Sequence, residues 1–347
     1  MENRIVEDVI RAHAEGAAFS WAQFSLASLA DPVDRVVIDR RRSEAEAHLD
    51  GLRIAGIAAW PILIDQLETY EERGEVFAAA LLAFEQSNDR RLRQVLGLSA
   101  TEEGRVGLRG AVAWAAPELT AGYVREWLDA ATPALRWLAV AAFADRHADP
   151  GTRLERLLSD PDDTVRALAC TAAAKAHRAD MVPRLRELLE TSGAEVELAA
   201  ATALLELGHP PDDTLTTPLR RAVLADPGNV DLMRKLVRVS PPEDIRAWFA
   251  TLLKDSETAP IAVRGAGILG DRTLVPWLVE QMREPTLADA AGRAFLDLFP
   301  EAWESWDDLT SLDPKDHGPA FVEAFGGEME VLPVAEKIAY WQSEHSQ

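Results

Sequence analysis

The seven histidines of this 347-residue chain, His13, His48, His147, His177, His209, His317 and His345, are the side chains best suited to hold a metal or move a proton. Three of them recur in step. His147 lies 12 residues after Leu135, His177 lies 12 after Val165 and His209 lies 13 after Val196. A ladder of this kind ligates a metal only if several rings reach one ion. Equivalent positions on stacked helices lie roughly 10 Å apart, whereas nitrogen ligands stand about 2 Å from zinc. The recurring histidines are therefore expected at helix C-termini, where an imidazole complements the helix dipole.

Other chemistry-bearing residues reduce in the same way. Cys170, the single cysteine, follows Leu168 and Ala169 in an apolar helical run and reads as a small buried residue. The Asp162-Asp163 pair follows Pro161, where a carboxylate caps the helix expected from about Thr164. Gly265 and Gly267 fall inside a helical pattern, so they are packing positions and not a phosphate cradle, and no Gly-x-Ser-x-Gly elbow occurs. We expect no catalytic residue, no cofactor and no metal.

Arginines and tryptophans repeat as well. Arg109, Arg136, Arg166 and Arg264 each follow an apolar residue at the start of a small-residue run, and Asp160 precedes Arg166 by six. The same offset carries Glu103, Ala130 and Thr258 in the other copies, so an Asp–Arg ladder is expected to be partial. Trp114, Trp127, Trp137, Trp248 and Trp277, with Trp303 and Trp306 nearer the C-terminus, are the candidate exposed anchors for a protein partner, because Trp is enriched where interfaces concentrate their energy.

These residues need a scaffold, and the sequence repeats. Trp60 to Glu68 (WPILIDQLE), Val182 to Glu190 (VPRLRELLE) and Val275 to Arg283 (VPWLVEQMR) align without gaps, each with a Pro at an expected helix start. The second and third are 93 residues apart, three units of 31, and the first and second are 122 apart. A second register runs Leu108-Arg109, Leu135-Arg136, Val165-Arg166, Val196-Glu197, Val230-Asp231 and Val263-Arg264, spaced 27, 30, 31, 34 and 33. Val165, Leu168, Ala169 and Ala172 follow the i, i+3, i+4, i+7 spacing of an apolar helical stripe. Asp149-Pro150, Asp160-Pro161, Asp226-Pro227 and Pro241-Pro242 separate the runs. The expected fold is all-α, an α-solenoid of about eight helix pairs with atypical ends. Residues 1–59 form an N-terminal helical cap, with a long helix from Asp31-Pro32 through Asp50, residues 60–299 form the repeats, and residues 300–347 form an acidic Trp-containing segment. From Glu301 onward there are 11 acidic and 2 basic residues, a segment suited either to folding back as a cap or to serving as an interaction tail. Arg40, Arg41 and Arg42 lie among Asp39, Glu44 and Glu46 and read as a solvated, internally paired helix face.

A net charge of −22 repels phosphate backbones, so nucleic acid is excluded as the expected partner and a protein with a basic surface is favoured. No stretch of about 18 uncharged apolar residues is present, so no membrane association is expected. The first residues are charged from Glu2 and lack a signal-peptide core. With one cysteine, a reducing, cytoplasmic setting is expected.

Leu269-Gly270-Asp271 and Asp160 to Ala169 (DPDDTVRALA) resemble HEAT and bilin-lyase-like HEAT repeats. Glu46 to Gly56 (EAHLDGLRIAG), Trp60 and Gly74 to Leu82 (GEVFAAALL) resemble an uncharacterised bacterial HEAT-repeat family often encoded near type VI secretion genes. That resemblance implies a non-catalytic scaffold or adaptor, accessory to type VI secretion, that binds an effector or spike component. It brings no catalytic residues. An immunity-type inhibitor of a basic toxin is the alternative, and a HEAT enzyme such as a bilin lyase the second alternative. The His-Glu pair of metal-hydroxylase HEAT proteins is missing, the nearest dipeptide being the reversed Glu344-His345.

Overall fold

The computed structural model of the chain describes residues 6–30, 33–99, 101–327 and 329–345. The helix start expected at Asp31-Pro32 lies outside them. The described residues form two compact units, Met1–Gly208 and His209–Gln347.

The first unit opens with two long helices, α1 (Glu7–Ala27) and α2 (Arg35–Ala55), and continues with five pairs: α3 (Ala59–Tyr70) and α4 (Arg73–Glu85), α5 (Asp89–Leu98) and α6 (Glu102–Trp114), α7 (Pro117–Trp127) and α8 (Pro133–Asp145), α9 (Arg153–Leu157) and α10 (Asp163–Lys175), α11 (Val182–Thr191) and α12 (Ala194–Glu206). The second unit adds three pairs: α13 (Asp213–Ala225) and α14 (Val230–Val239), α15 (Pro242–Leu252) and α16 (Ala259–Ile268), α17 (Val275–Gln281) and α18 (Ala288–Leu298). The architecture is an all-α solenoid of eight helix pairs. The Pro-led segments fall on the first helices α3, α11 and α17, and the apolar-Arg register falls on the second helices α6, α8, α10, α12, α14 and α16.

Local chemistry sets the boundaries. Asp162 caps α10 by accepting from the N–H groups of Thr164 and Val165 at 3.0 and 3.2 Å. Pro lies in the first turn of α7, α8, α11, α15, α16 and α17, where its missing N–H is not needed. His147 and His177 have φ of 51° and 53° and occupy the left-handed position just past α8 and α10, matching Gly208 after α12. The N–H of His147 donates to Ala144 and that of Ala148 to Phe143, closing the helix end; His177 and Arg178 repeat this with Ala174 and Ala173. The recurrence of these histidines is therefore a recurrence of helix ends.

In the first unit α1, α4, α6, α8, α10 and α12 pack one against the next, while the first helices of successive pairs meet sparsely. The second helices, with α1, thus form the closely packed row of this unit. Small residues permit it. A Cβ on Gly74 would stand 2.3 Å from the Ala18 carbonyl oxygen, and one on Gly107 would stand 2.4 Å from that of Arg73. Between these crossings α4 buries Gly74 and every residue from Val76 to Phe84, as expected of a helix covered on all sides. The segment Arg35–Tyr70 is long and apolar enough by composition to cross a membrane. Here it is α2 and α3 broken at Gly56 (φ 60°), with Ile62, Leu63, Ile64 and Leu67 buried.

The arginine ladder differs from expectation in its partners. Asp160 gives Arg166, six residues on, only its main-chain carbonyl, while its carboxylate receives Arg136 of the preceding pair. In the second unit Asp297 pairs with both Arg234 and Arg264. Gly265 of α16 packs against the Phe249 ring and Gly267 against the Ala294 carbonyl of α18, so both are close-approach positions.

The acidic C-terminal segment folds back on the last pairs. It contains a 3-10 turn at Pro300–Ser305, α19 (Trp306–Leu309), β1 (Thr310–Ser311), α20 (Pro319–Phe325), β2 (Leu332–Pro333) and α21 (Ala335–His345), and β1 pairs antiparallel with β2. Leu309, Ile338 and Trp341 join Val275, Leu278, Phe295 and Phe299 in one buried cluster. Phe321 packs with Ala288 and Leu332 in a second. Buried large apolar side chains stabilise by roughly 1.5–3 kcal/mol each, which explains how so acidic a segment stays docked.

Candidate functional site

The first unit carries a groove of 740 Å³ between the C-terminal half of α1, Arg42 of α2 and the exposed stripes of α6 and α8. Its position follows from the repeat. Glu102, Arg105, Val106, Arg109 and Ala113 recur every three or four residues along α6, so they share the side not used for packing.

Aromatic rings floor the groove. Trp21 of α1 stacks on Phe77 at 4.3 Å, and Trp114 meets Phe24 and Phe77 edge-on at 5.3 and 5.5 Å. Gly110 leaves room for this, since a Cβ there would fall inside the Trp21 ring system. Guanidinium groups lie over the half-buried indoles of Trp114 and Trp137. Arg42 stands 5.1 Å from the Trp114 centroid, and Arg105 and Arg109 stand 5.9 and 5.8 Å from that of Trp137.

The three arginines are not equivalent. Arg109 forks onto Asp145 at 2.6 and 2.9 Å, and that hydrogen-bonded pairing raises its pKa. Among the described residues no carboxylate pairs with Arg42 or Arg105. Arg105 and Trp137 also line an adjoining cavity of 410 Å³ with Leu96, Leu108, Leu135 and Leu138, so they form the ridge between a mixed groove and an apolar one. Planar guanidinium donors beside apolar ring faces recognise a carboxylate together with an apolar side chain.

The structure brings Trp114 and Trp137 together at this groove, both half-buried. Trp127 corrects the expectation of an exposed anchor: it is 5% exposed on α7, packed against Phe84 and Tyr123. Trp248, Trp277, Trp303 and Trp306 belong to the second unit. Trp248 is half-buried beside Arg220 and Phe249, Trp277 and Trp306 lean on the cluster under α17 and α18, and Trp303 is exposed. Cys170 is fully buried, and burial pushes its thiol up to about 12, which keeps it protonated at neutral pH.

Sequence reasoning missed Trp21, Phe24, Arg42 and Arg105. Arg42 was hidden in the triplet read as a paired face. Arg41 does pair with Glu44 at 2.8 Å, but Glu46 is held by Arg53 and Arg42 turns to Trp114. The only available signal was helical phase, which separates Arg42 from Arg41 by about 100°. It also missed the opposition of His13 and His48 on α1 and α2, whose Nδ1 atoms are 3.3 Å apart. Among the described residues no group of three or more His, Cys, Asp and Glu converges as a metal site.

The family of HEAT repeats matches the chain over residues 150–254, from the turn before α9 to the end of α15. No curated protein matches the sequence.

Proposed function

We propose that the chain is a non-catalytic scaffold that binds another protein, and that the α6–α8 groove of the first unit is its docking surface. The observation that carries this reading is the pairing of Arg42 with Trp114 and of Arg105 with Trp137: two cations with no carboxylate partner among the described residues, each beside a half-buried indole. Rings of this kind supply buried area at small entropic loss, and the guanidinium forks supply direction. The HEAT-repeat match supports a role in protein interaction.

Charge acts at two ranges. The net −22 favours approach of a partner with a basic surface and disfavours nucleic acid. Within the groove Arg42 and Arg105 favour a segment bearing a carboxylate and an apolar side chain. The buried Cys170 suits a cytoplasmic setting. The likeness of the N-terminal block to the secretion-associated family supports a type VI effector or spike component as the partner, and the net charge favours a basic toxin as the second reading, in which the chain is an immunity protein.

The test is affinity purification with the tagged full chain and its Arg105→Glu and Trp137→Ala variants. A stoichiometric protein recovered by the parent chain and reduced at least tenfold by either variant supports the groove. Recovery of no such protein, or equal recovery by all three, removes it.

A further inference from the structure

His13 of α1 and His48 of α2 oppose each other at the crossing of the two helices. Their Nδ1 atoms lie 3.3 Å apart, their ring centroids 5.4 Å apart and their planes 65° apart. Each ring rests on a glycine of the opposite helix. A Cβ on Gly51 would stand 2.6 Å from the His13 ring, and one on Gly16 would stand 2.3 Å from the His48 ring. Two glycines at one crossing therefore make space for two imidazoles to meet, and both rings remain half-exposed to solvent.

We infer that this pair is a binding site for a divalent transition-metal ion of the zinc class, which staples α1 to α2. Zinc takes imidazole nitrogens at about 2.0–2.1 Å, and a tetrahedral angle then sets the two nitrogens about 3.3 Å apart with ring centroids about 5.2 Å apart. The 3.3 Å separation is also within hydrogen-bond reach, and the zinc assignment rests on the nitrogen and centroid spacings together matching a tetrahedral site. The surrounding charges are already engaged: Arg41 holds Glu44, Arg53 holds Glu46 and Asp50, and Arg11 holds Asp65. Glu15 accepts from Gln66. The remaining coordination positions fall to water. Intermediate-softness nitrogen ligands select zinc, nickel or copper over magnesium or calcium. Among the described residues no third protein ligand converges on the pair, so affinity rests on the preset spacing of the rings.

The site is tested on the full chain with zinc chloride as the probe. At pH 7.5 calorimetric titration should show one equivalent bound. In the parent chain the side-chain nitrogen resonances of His13 and His48 should move, and the melting temperature should rise by roughly 5 °C once zinc is in about 100-fold excess over its dissociation constant. Acidification should weaken uptake, because protons compete with the metal for the imidazole nitrogens. His13→Gln and His48→Gln should each weaken binding at least tenfold, and His147→Gly should leave it unchanged. Absence of saturable uptake overturns the proposal, as does uptake indifferent to both substitutions. Unmoved His13 and His48 resonances in the parent chain overturn it without recourse to any variant and leave the pair as a shared-proton contact.

Discussion

Arg136 of α8 and Asp160 of the α9–α10 turn join successive helix pairs through a two-pronged bond, with Nε and Nη2 of the guanidinium 2.6 and 2.7 Å from the two carboxylate oxygens. Both residues are buried, at 8% and 6% exposure. The third guanidinium nitrogen donates to the carbonyls of Ala130 and Ala131, and the carboxylate also accepts the N–H of Asp162. Each guanidinium nitrogen and both carboxylate oxygens of the pair are thus hydrogen-bonded across two layers.

Removing one member should therefore be far more damaging than replacing both. Asp160→Ala is expected to destabilise the chain by about 3–5 kcal/mol, because it strands a buried cation. The double change Arg136→Met with Asp160→Leu is expected to recover most of that loss. Urea unfolding of the three proteins checks this, and a single-variant effect below about 1 kcal/mol would show that the pair does not bind the layers together.

Legibility of the sequence divides along similar lines. The second-helix register was readable because Leu135-Arg136 and Val165-Arg166 repeat a local pattern, which marks six of the second helices, α6 to α16. The partner of Asp160 was not readable, because offset-six spacing describes one repeat, whereas the carboxylate turns to the repeat before it. The groove was half legible. Trp114 and Trp137 stood out by type, but their cations come from α2 and from α6 of the preceding pair respectively, and Trp127 shares their composition while facing the core. The His13–His48 meeting depends on the crossing of α1 and α2, which a sequence separation of 35 residues does not specify.

Close backbone approach in the first unit predicts a second sensitivity. Gly74→Ala and Gly107→Ala would each place a methyl group 2.3–2.4 Å from a carbonyl oxygen of a neighbouring helix. Helix propensity alone would reward alanine by about 1 kcal/mol. Overpacking against backbone should outweigh that gain and give a net destabilisation of roughly 1–3 kcal/mol. Gly97→Ala, whose Cβ meets nothing, is the control and should be neutral or stabilising. Equal stability of the three variants in thermal unfolding would contradict the close crossing.

His147 and His177 predict the opposite sign. Both are exposed and hold left-handed backbone that glycine adopts freely at the equivalent Gly208. His147→Gly and His177→Gly should each stabilise by roughly 0.5–1 kcal/mol, the relief of backbone strain exceeding the entropy glycine adds to the unfolded chain. Destabilisation by both in thermal melts would show that the imidazoles make contributions beyond the helix end.

Acid should unfold the chain through its capped and paired carboxylates. Arg73 lowers the pKa of Glu103, Arg153 that of Asp129, the Thr164 hydroxyl that of Asp162, Arg178 that of Asp180 and the Thr273 hydroxyl that of Asp271. A carboxylate whose folded value lies below its unfolded value near about 4 stabilises the fold above that pH and loses the contribution as pH falls through the folded value. Glu75 acts in reverse: burial raises its pKa, so its protonation on acidification relieves the folded state. Five lowered groups against one raised group give a net loss of stability below about pH 4. Melting temperature should accordingly change little between about pH 6 and 5 and fall steeply between about 4 and 2. Asp162→Asn separates capping from charge, because asparagine caps α10 without titrating. That variant should melt near the parent at neutral pH and lose less on acidification, and a parent chain that melts as high at pH 3 as at pH 6 would overturn the assignment.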